Sequence, residues 1–194
     1  MLAELMDDAG LQAELERCHA ESYGWALGCC ARDPAEAEAT LQTAYLKVLQ
    51  GKARFGGRSS FKTWFFAVIR RTAADRRRRK LLRAMRHVNL DDAAGVVSSG
   101  MVEGVYRSEI RELFLDALAT LPRRQREVLQ LVFYHELSLA QCAEVIGVSI
   151  GSARTHYERG KSRLRERLIE SRAFDEFGIG RQENQGAVPG VEAG

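Results

Sequence analysis

SLAQCAEVIGVSIGSARTHYERGKSRL, residues 138–164, decides how the chain folds. Ser138, with Gln141 three residues later, opens a short helix as a capping box. That helix ends at Ile146. Gly147-Val148-Ser149 makes a tight turn, and Ser149 caps a second helix running to about Ser171. A short helix, a turn with glycine and a second helix are the grammar of a helix-turn-helix. On the second helix Ile150, Ala153, Tyr157, Gly160, Leu164 and Leu168 recur at helical spacing and form an inward stripe. The other face carries Ser152, Arg154, Thr155, His156, Glu158, Arg159, Lys161 and Arg163. Its early residues can reach base edges, because the N-terminal part of a recognition helix enters the major groove. Lys161 and Arg163 sit further along, placed for phosphate. The same pattern also suits a plain helix pair in a bundle. The glycine at the turn and the cationic outer face argue against that reading.

Upstream of this motif, Pro122 opens a helix with Val128, Leu129, Leu131 and Val132 inward, and helical periodicity covers Tyr106–Ala119. From His87 to about Val105 the pattern dissolves: HVNLDDAAGVVSSGMVEGV has three glycines, a serine pair and no sustained period. Such a stretch is too long for a simple connection inside a compact domain and reads as a flexible linker. Before it, Leu11 to Cys30 reads as a helix with mixed faces. Asp33-Pro34-Ala35-Glu36 is a helix start, with Asp33 at the N-cap and Pro34 at the first helical position. The helix that follows places Ala37, Leu41, Ala44, Tyr45 and Val48 on one apolar stripe, and Glu36, Thr40, Thr43 and Lys47 on another face. Gly51 and Gly56-Gly57 mark a loop. Ser59 or Ser60 then caps a third helix, apolar through Phe61, Trp64, Phe65, Val68 and Ile69 and cationic through Arg76–Lys80.

The net charge of +3 hides its distribution. Residues 1–50 carry nine acids and three bases; residues 51–86 carry 13 bases against one acid, Asp75. A second basic block, net +4, covers 148–172, and the stretches 87–147 and 173–194 are net negative. Like charges as dense as those of 51–86 repel unless a polyanion neutralises them. Two separate basic blocks indicate two contacts with one nucleic acid. Phe61, Trp64, Phe65 and Phe66 beside Arg58, Lys62, Arg70 and Arg71 interleave aromatics with cations, which suits unstacked bases and their backbone. Trp64, among apolar neighbours, reads as core; Phe61 is balanced between core and stacking.

Composition bounds the remaining classes. In 194 residues, 45% hydrophobic and 28% charged with three prolines, a helical core is expected. No apolar run approaches 18 residues, so no membrane span is expected. The N-terminus MLAELMDDAG has no basic n-region and does not read as a secretory signal. Cys18, Cys29, Cys30 and Cys142 show no CxxC spacing, so free thiols in a reducing cytoplasm are expected rather than disulfides or zinc. Cys18-His19 are adjacent and diverge on a helix, so no metal site is assigned. The chain has no Walker-type loop, no GxSxG and no paired acids in a pocket pattern, so no enzyme is indicated and no cofactor is implied.

Two segments together resemble one family. DALATLPRRQREVLQLVFYHELSLAQCAEVIGVSIGSARTHYERGKSRLRERL (116–168) is similar to the C-terminal DNA-binding domain of bacterial extracytoplasmic-function (ECF) sigma factors. FGGRSSFKTWFFAVIRRTAADRRRR (55–79) is similar to the part of their N-terminal domain that melts and reads promoter DNA. With the helix at 34–50, the resemblance covers about residues 11–170. It implies an all-α chain of two small helical domains: region 2 over 1–86, a flexible linker over 87–105, region 4 with its helix-turn-helix over 106–172, and a loose tail over 173–194. It further implies a cytoplasmic factor that binds core RNA polymerase and promoter DNA, with an anti-sigma protein as a potential partner.

The resemblance also assigns roles. Arg58, Ser59, Ser60 and Phe61, with Arg71 and Asp75 on the helix, match positions around a flipped base of the −10 element; Lys62, Arg70 and Arg76 join them as backbone contacts. Arg154, Thr155, Glu158 and Arg159 match the −35 reader, with Ser152, His156, Lys161 and Arg163 beside them. Two positions depart from the pattern: Arg71 stands where many members carry Asn, and His156 where Arg is common. The polymerase-facing helix carries Glu36, Ala39, Thr43 and Lys47. There Ala39 replaces a usual Asp and Thr43 a usual Glu, so two negative charges are missing at one contact. One reading is drift, compensated by Glu36 and Glu38. The other is a switch, in which a Ser/Thr kinase phosphorylates Thr43, or Thr40 one turn earlier, and restores the charge. A dimeric helix-turn-helix regulator that binds operators without polymerase is the main alternative. A DNA-processing enzyme with a helix-turn-helix is the second.

Overall fold

A computed structural model describes residues 8–86 and 113–170. All its elements are helices: α1 (Asp8–Arg17), α2 (His19–Cys29), α3 (Pro34–Leu49), α4 (Phe61–Arg86), α5 (residues 113–119), α6 (Arg123–Phe133), α7 (Leu139–Ile146) and α8 (Ile150–Glu170). The expected linker at 87–105 and the tail at 173–194 lie outside the described residues.

Local signals place most boundaries. The Asp33 side chain accepts from the Glu36 amide at 3.1 Å, with Pro34 at the first position of α3. Ser60 is the serine that caps α4, its Oγ accepting from the Thr63 amide at 3.2 Å. Ser138 and Gln141 form both halves of their capping box. Gly147 closes α7 in the left-handed region, φ 68°, which a side chain would strain. One boundary differs. The helix read as continuous from Leu11 to Cys30 breaks at Cys18, φ −96° and ψ 8°. The break lets Leu15 and Cys18 on one side and Ser22, Trp25 and Cys29 on the other reach the interior.

Helices α2, α3 and α4 form one unit; α5 to α8 form the other. The sequence reading gives no contact between them, and the structure adds one. A single apolar core runs from Trp25, Phe66 and Ile69 into Val128, Leu131, Cys142, Val145 and Ile146. The cause is in α4. Phe65 to Ile69 are five successive buried residues, so the helix is apolar all round there. A helix of that kind must be covered on every side. Helices α2 and α3 cover one side and α7 the other. His135 closes the seam, edge-on to Phe66 at 4.8 Å and to Trp25 at 5.9 Å.

Candidate nucleic-acid interface

The first surface surrounds the loop before α4. Arg54, Phe55, Gly56, Arg58, Ser59 and Trp64 line a hollow of about 340 Å3. Phe55 and Trp64 are half-buried with ring centroids 5.3 Å apart. Arg58 is exposed beside them, and Ser60 is tied to Thr63 through both its hydroxyl and its cap. Phe61 goes inside instead, packed on Phe55, Trp64 and Phe65. The balance left open for Phe61 falls on the core side, and Trp64, read as core, packs against the core with part of its ring in the hollow. Phe61, Phe65 and Phe66 are enclosed, and Trp64 bridges core and hollow, because the pocket wall is completed by the loop residues Arg54 and Phe55, which periodicity does not rank.

The cations of α4 divide. Arg71 is exposed, its Nε donating to the Ala67 carbonyl at 3.1 Å, and Arg77, Arg78 and Arg79 are exposed. Lys62 and Arg70 do not belong to this free set. Lys62 donates to the His135 carbonyl at 3.0 Å and pairs with Glu21 at 2.8 Å. Arg70 pairs with buried Glu127 of α6 at 3.0 Å. Both are held in the seam between the units, because α7 and α6 cover that side of α4. Arg76 pairs with Glu36 at 3.1 Å, and Asp75 faces Lys47 at 3.6 Å.

The second surface is α8. Ala153, Gly160 and Leu164 are buried as the stripe requires, and a Cβ on Gly160 would stand 3.1 Å from Leu129 and Gln125 of α6. Ile150 departs from the stripe: it is 53% exposed, since the helix meets its neighbours only from Ala153 onward. Ser152, Arg154, Thr155, Glu158, Arg159, Lys161 and Arg163 are exposed and His156 is half-buried. Ser149 and Ser152 share a hydrogen bond at 2.9 Å, and Thr155 donates to the Gly151 carbonyl at 3.0 Å, which fixes these hydroxyls at the N-terminal end of α8. Lys161 lies over the Tyr157 ring at 5.6 Å. Arg154, Glu158 and Arg159 are exposed and make no side-chain bond among the described residues.

The third surface is the outer face of α3. Thr43 is half-buried, its hydroxyl donating to the Ala39 carbonyl at 2.7 Å. Thr40 is fully buried with its hydroxyl against Cys30 Sγ at 3.4 Å, so it is not a surface threonine. It shares the inward side with Ala37, Leu41 and Ala44, where a small polar residue fits beside a thiol. Glu36 and Lys47 also turn toward α4: Glu36 takes Arg76 and Lys80, and Lys47 donates to Thr72 at 3.0 Å. What remains outward is Glu38, Ala39, Gln42 and Thr43, continued by Leu46 and Leu49, 54% and 61% exposed. The two leucines lie outside the apolar stripe and their exposure was not read from the sequence.

Among the described residues no group of three His, Cys, Asp or Glu is placed to hold a metal, and no helix is long and apolar enough to cross a membrane.

Residues 15–83 match the sigma-70 region 2 family and residues 111–164 the sigma-70 region 4 family. The ECF RNA polymerase sigma factor SigX of Bacillus subtilis is 30% identical over 165 residues, covering 81% of this chain and 84% of that one. A probable RNA polymerase sigma factor, RfaY, of Xanthomonas campestris is 27% identical over 206 residues, 95% of this chain. The chain spans about half, 48%, of the length of that relative. The sigma factor RpoE of Bartonella quintana, solved in complex with the anti-sigma factor NepR, shares the fold with a TM-score of 0.68 at 23% identity, covering 82% of this chain and 96% of that one.

Proposed function

The chain belongs to the ECF family of RNA polymerase sigma factors, and from that premise we propose that it binds core RNA polymerase and directs initiation at promoters through two DNA-reading surfaces. The observation that carries this is the pairing, in one chain, of an aromatic hollow flanked by Arg54 and Arg58 with the free cationic face of α8. The hollow is large enough for one extruded base, with Phe55 and Trp64 as its stacking walls. Arg71, Asp75 and Arg77–Arg79 follow it along α4 and take the flanking strand, mostly through phosphates. Helix α8 enters the −35 major groove with Ser152, Arg154, Thr155, His156, Glu158 and Arg159, while Lys161 and Arg163 hold the backbone. The outer face of α3 docks on the polymerase, with Leu46 and Leu49 as apolar anchors. The factor acts in the cytoplasm, is not an enzyme and uses no cofactor. An anti-sigma protein is a further partner, by analogy with the complex of the Bartonella relative.

Run-off transcription with core polymerase and genomic promoter fragments tests this reading. Promoter-dependent transcripts that require the chain support it; none from any promoter, with no co-purification of core polymerase, returns the protein to an operator-binding regulator. That second reading uses α7 and α8 alone and leaves the region 2 match without a role.

The −35 assignment makes a sharper prediction. Arg154→Ala should cost about 1–3 kcal/mol of promoter binding and relax preference at one base position. Lys161→Ala should weaken binding on all sequences alike and lower the salt slope by about one. Fluorescence anisotropy on specific and random duplexes separates the two; equal losses on both duplexes for both variants would reverse the roles.

The finer proposal is a switch at Thr43, targeted by a Ser/Thr kinase. Thr43 supports it as the one of the two candidate threonines on the outward face; Thr40 is enclosed. A phosphate adds about −1.5 to −2 charge where Ala39 and Thr43 leave the helix short of acids. Lys47, four residues on, is engaged with Thr72 and Asp75, which limits its capture of that phosphate. Thr43→Glu should raise polymerase affinity and transcription, though less than the phosphate. Thr43→Ala should leave unmodified binding unchanged and abolish kinase activation. Full activity of unmodified wild type, indifferent to both substitutions, would return this helix to sequence drift.

A further inference from the structure

A second hollow, larger than the one beside Trp64, shares only Arg77 with the three surfaces described above. It encloses about 820 Å3 where the α2–α3 turn, the back of α4 and the start of α6 meet. Its floor is built from small or apolar groups, among them Gly28, Cys29, Pro34 and Ala73. Its rim carries five cations: Arg32, Arg77, Lys80, Arg123 and Arg126. The two acids present do not balance them. Asp33 is committed to capping α3, and Glu36 to Arg76 and Lys80. Arg32, Arg77 and Arg126 have no carboxylate partner among the described residues; Arg126 reaches only the Ala119 carbonyl. Arg123 binds Glu127 through Nε, and its Nη2 is buried with no acceptor. Burial, with Arg123 close by, pushes the Arg77 guanidinium below its ordinary value.

Cations drawn together around an apolar floor are costly without an anion. A volume of this size is that of a small-molecule site. We propose that this cleft binds a nucleotide, its base on the small-residue floor and its phosphates on Arg77, Arg126 and Arg32. The ligand spans both units: Arg32 and Arg77 come from the first, Arg126 from the second. Occupancy therefore holds the two units in the packed arrangement seen here. This inference does not depend on the promoter-directing reading, since it concerns the free chain; the two share only Arg77, there assigned to a DNA phosphate, and Arg32 and Arg126 belong to this cleft alone.

The test is isothermal titration of the full chain, without polymerase, with ATP and with GTP, and with adenosine, guanosine and tripolyphosphate as separate probes. Saturable one-site binding of a nucleotide is expected. Arg126→Ala and Arg77→Ala should each weaken it about tenfold, the effect of losing one charge-assisted contact. Arg32→Ala, on an exposed turn, serves as a second variant should either of these fail to fold. The nucleoside and tripolyphosphate alone should each bind at least about tenfold more weakly than the nucleotide. At equal concentration the nucleotide should also raise the melting temperature of wild type more than that of Arg126→Ala. No saturation up to about 1 mM, affinity unchanged in the folded variants, or tripolyphosphate binding as tightly as the nucleotide would each overturn the proposal.

Discussion

Trp25→Ala should lower the unfolding free energy by about 3–5 kcal/mol. The indole is fully enclosed, stacks on Phe66 at 5.8 Å and meets His135 edge-on at 5.9 Å. Its Nε1 donates to the Phe66 carbonyl at 3.0 Å. Alanine removes the largest fully buried side chain among the described residues at the point where both helical units meet, and the surrounding helices, fixed by their own cores, close the gap only in part. Trp25→Phe keeps most of the volume and loses the hydrogen bond, so it should cost only about 1–2 kcal/mol. Equilibrium urea denaturation followed by circular dichroism measures both. A loss under about 1 kcal/mol for the alanine variant would mean that the seam is not formed in solution.

The same cluster sets an acid limit. Burial, with the Lys62 charge adding to it, lowers the His135 imidazole from 6.5 to about 4. Both ring nitrogens are buried without a hydrogen-bond partner. The folded state therefore holds the neutral ring, and the unfolded chain takes up the proton first as pH falls. The stabilisation is fully present above pH 6.5 and is lost as pH falls from there toward about 4. His135→Phe should flatten that slope in urea midpoints measured between pH 7 and pH 4.5. An unchanged slope would place the titration elsewhere.

These residues also show what the sequence discloses. Signals that act within one turn are legible: the Asp33-Pro34 start, the Ser138 capping box, the left-handed Gly147 and the Ala153–Gly160–Leu164 stripe all stand where short-range chemistry puts them. They depend on neighbours three or four residues away. The destination of a side chain that leaves its helix is a different matter. Lys62 and Arg70 look like members of a basic block, yet one meets a carbonyl 73 residues away and the other a carboxylate 57 residues away. Thr40 reads as part of a polar face but is enclosed beside Cys30. One signal for the seam was present. A run from Phe65 to Ile69 without a polar residue cannot face a single partner. Read that way, it calls for a second layer over α4, and the apolar face of α7 is the one available.

Glu127→Ala should cost about 3–5 kcal/mol, because it removes one carboxylate that serves two guanidinium groups in an enclosed site. Glu127 is 3% exposed on its side chain. It accepts from Arg70 Nε at 3.0 Å across the seam and from Arg123 Nε at 2.7 Å along its own helix. Arg70 is 13% exposed, so its charge would stay buried without compensation; Arg123, 35% exposed, can turn to water and contributes less to the loss. Glu127→Gln keeps one acceptor oxygen but faces the other guanidinium with an amide NH2, so it should fall between wild type and alanine. The double variant Arg70→Met/Glu127→Leu removes both buried charges and restores apolar volume; it should recover most of the loss, because an unpaired buried charge costs more than an absent pair. A double-mutant cycle on urea midpoints should then show a coupling of about 1–3 kcal/mol between α4 and α6. Additive single losses would show that Arg70 and Glu127 do not meet, and with them the polar half of the seam between the units would go.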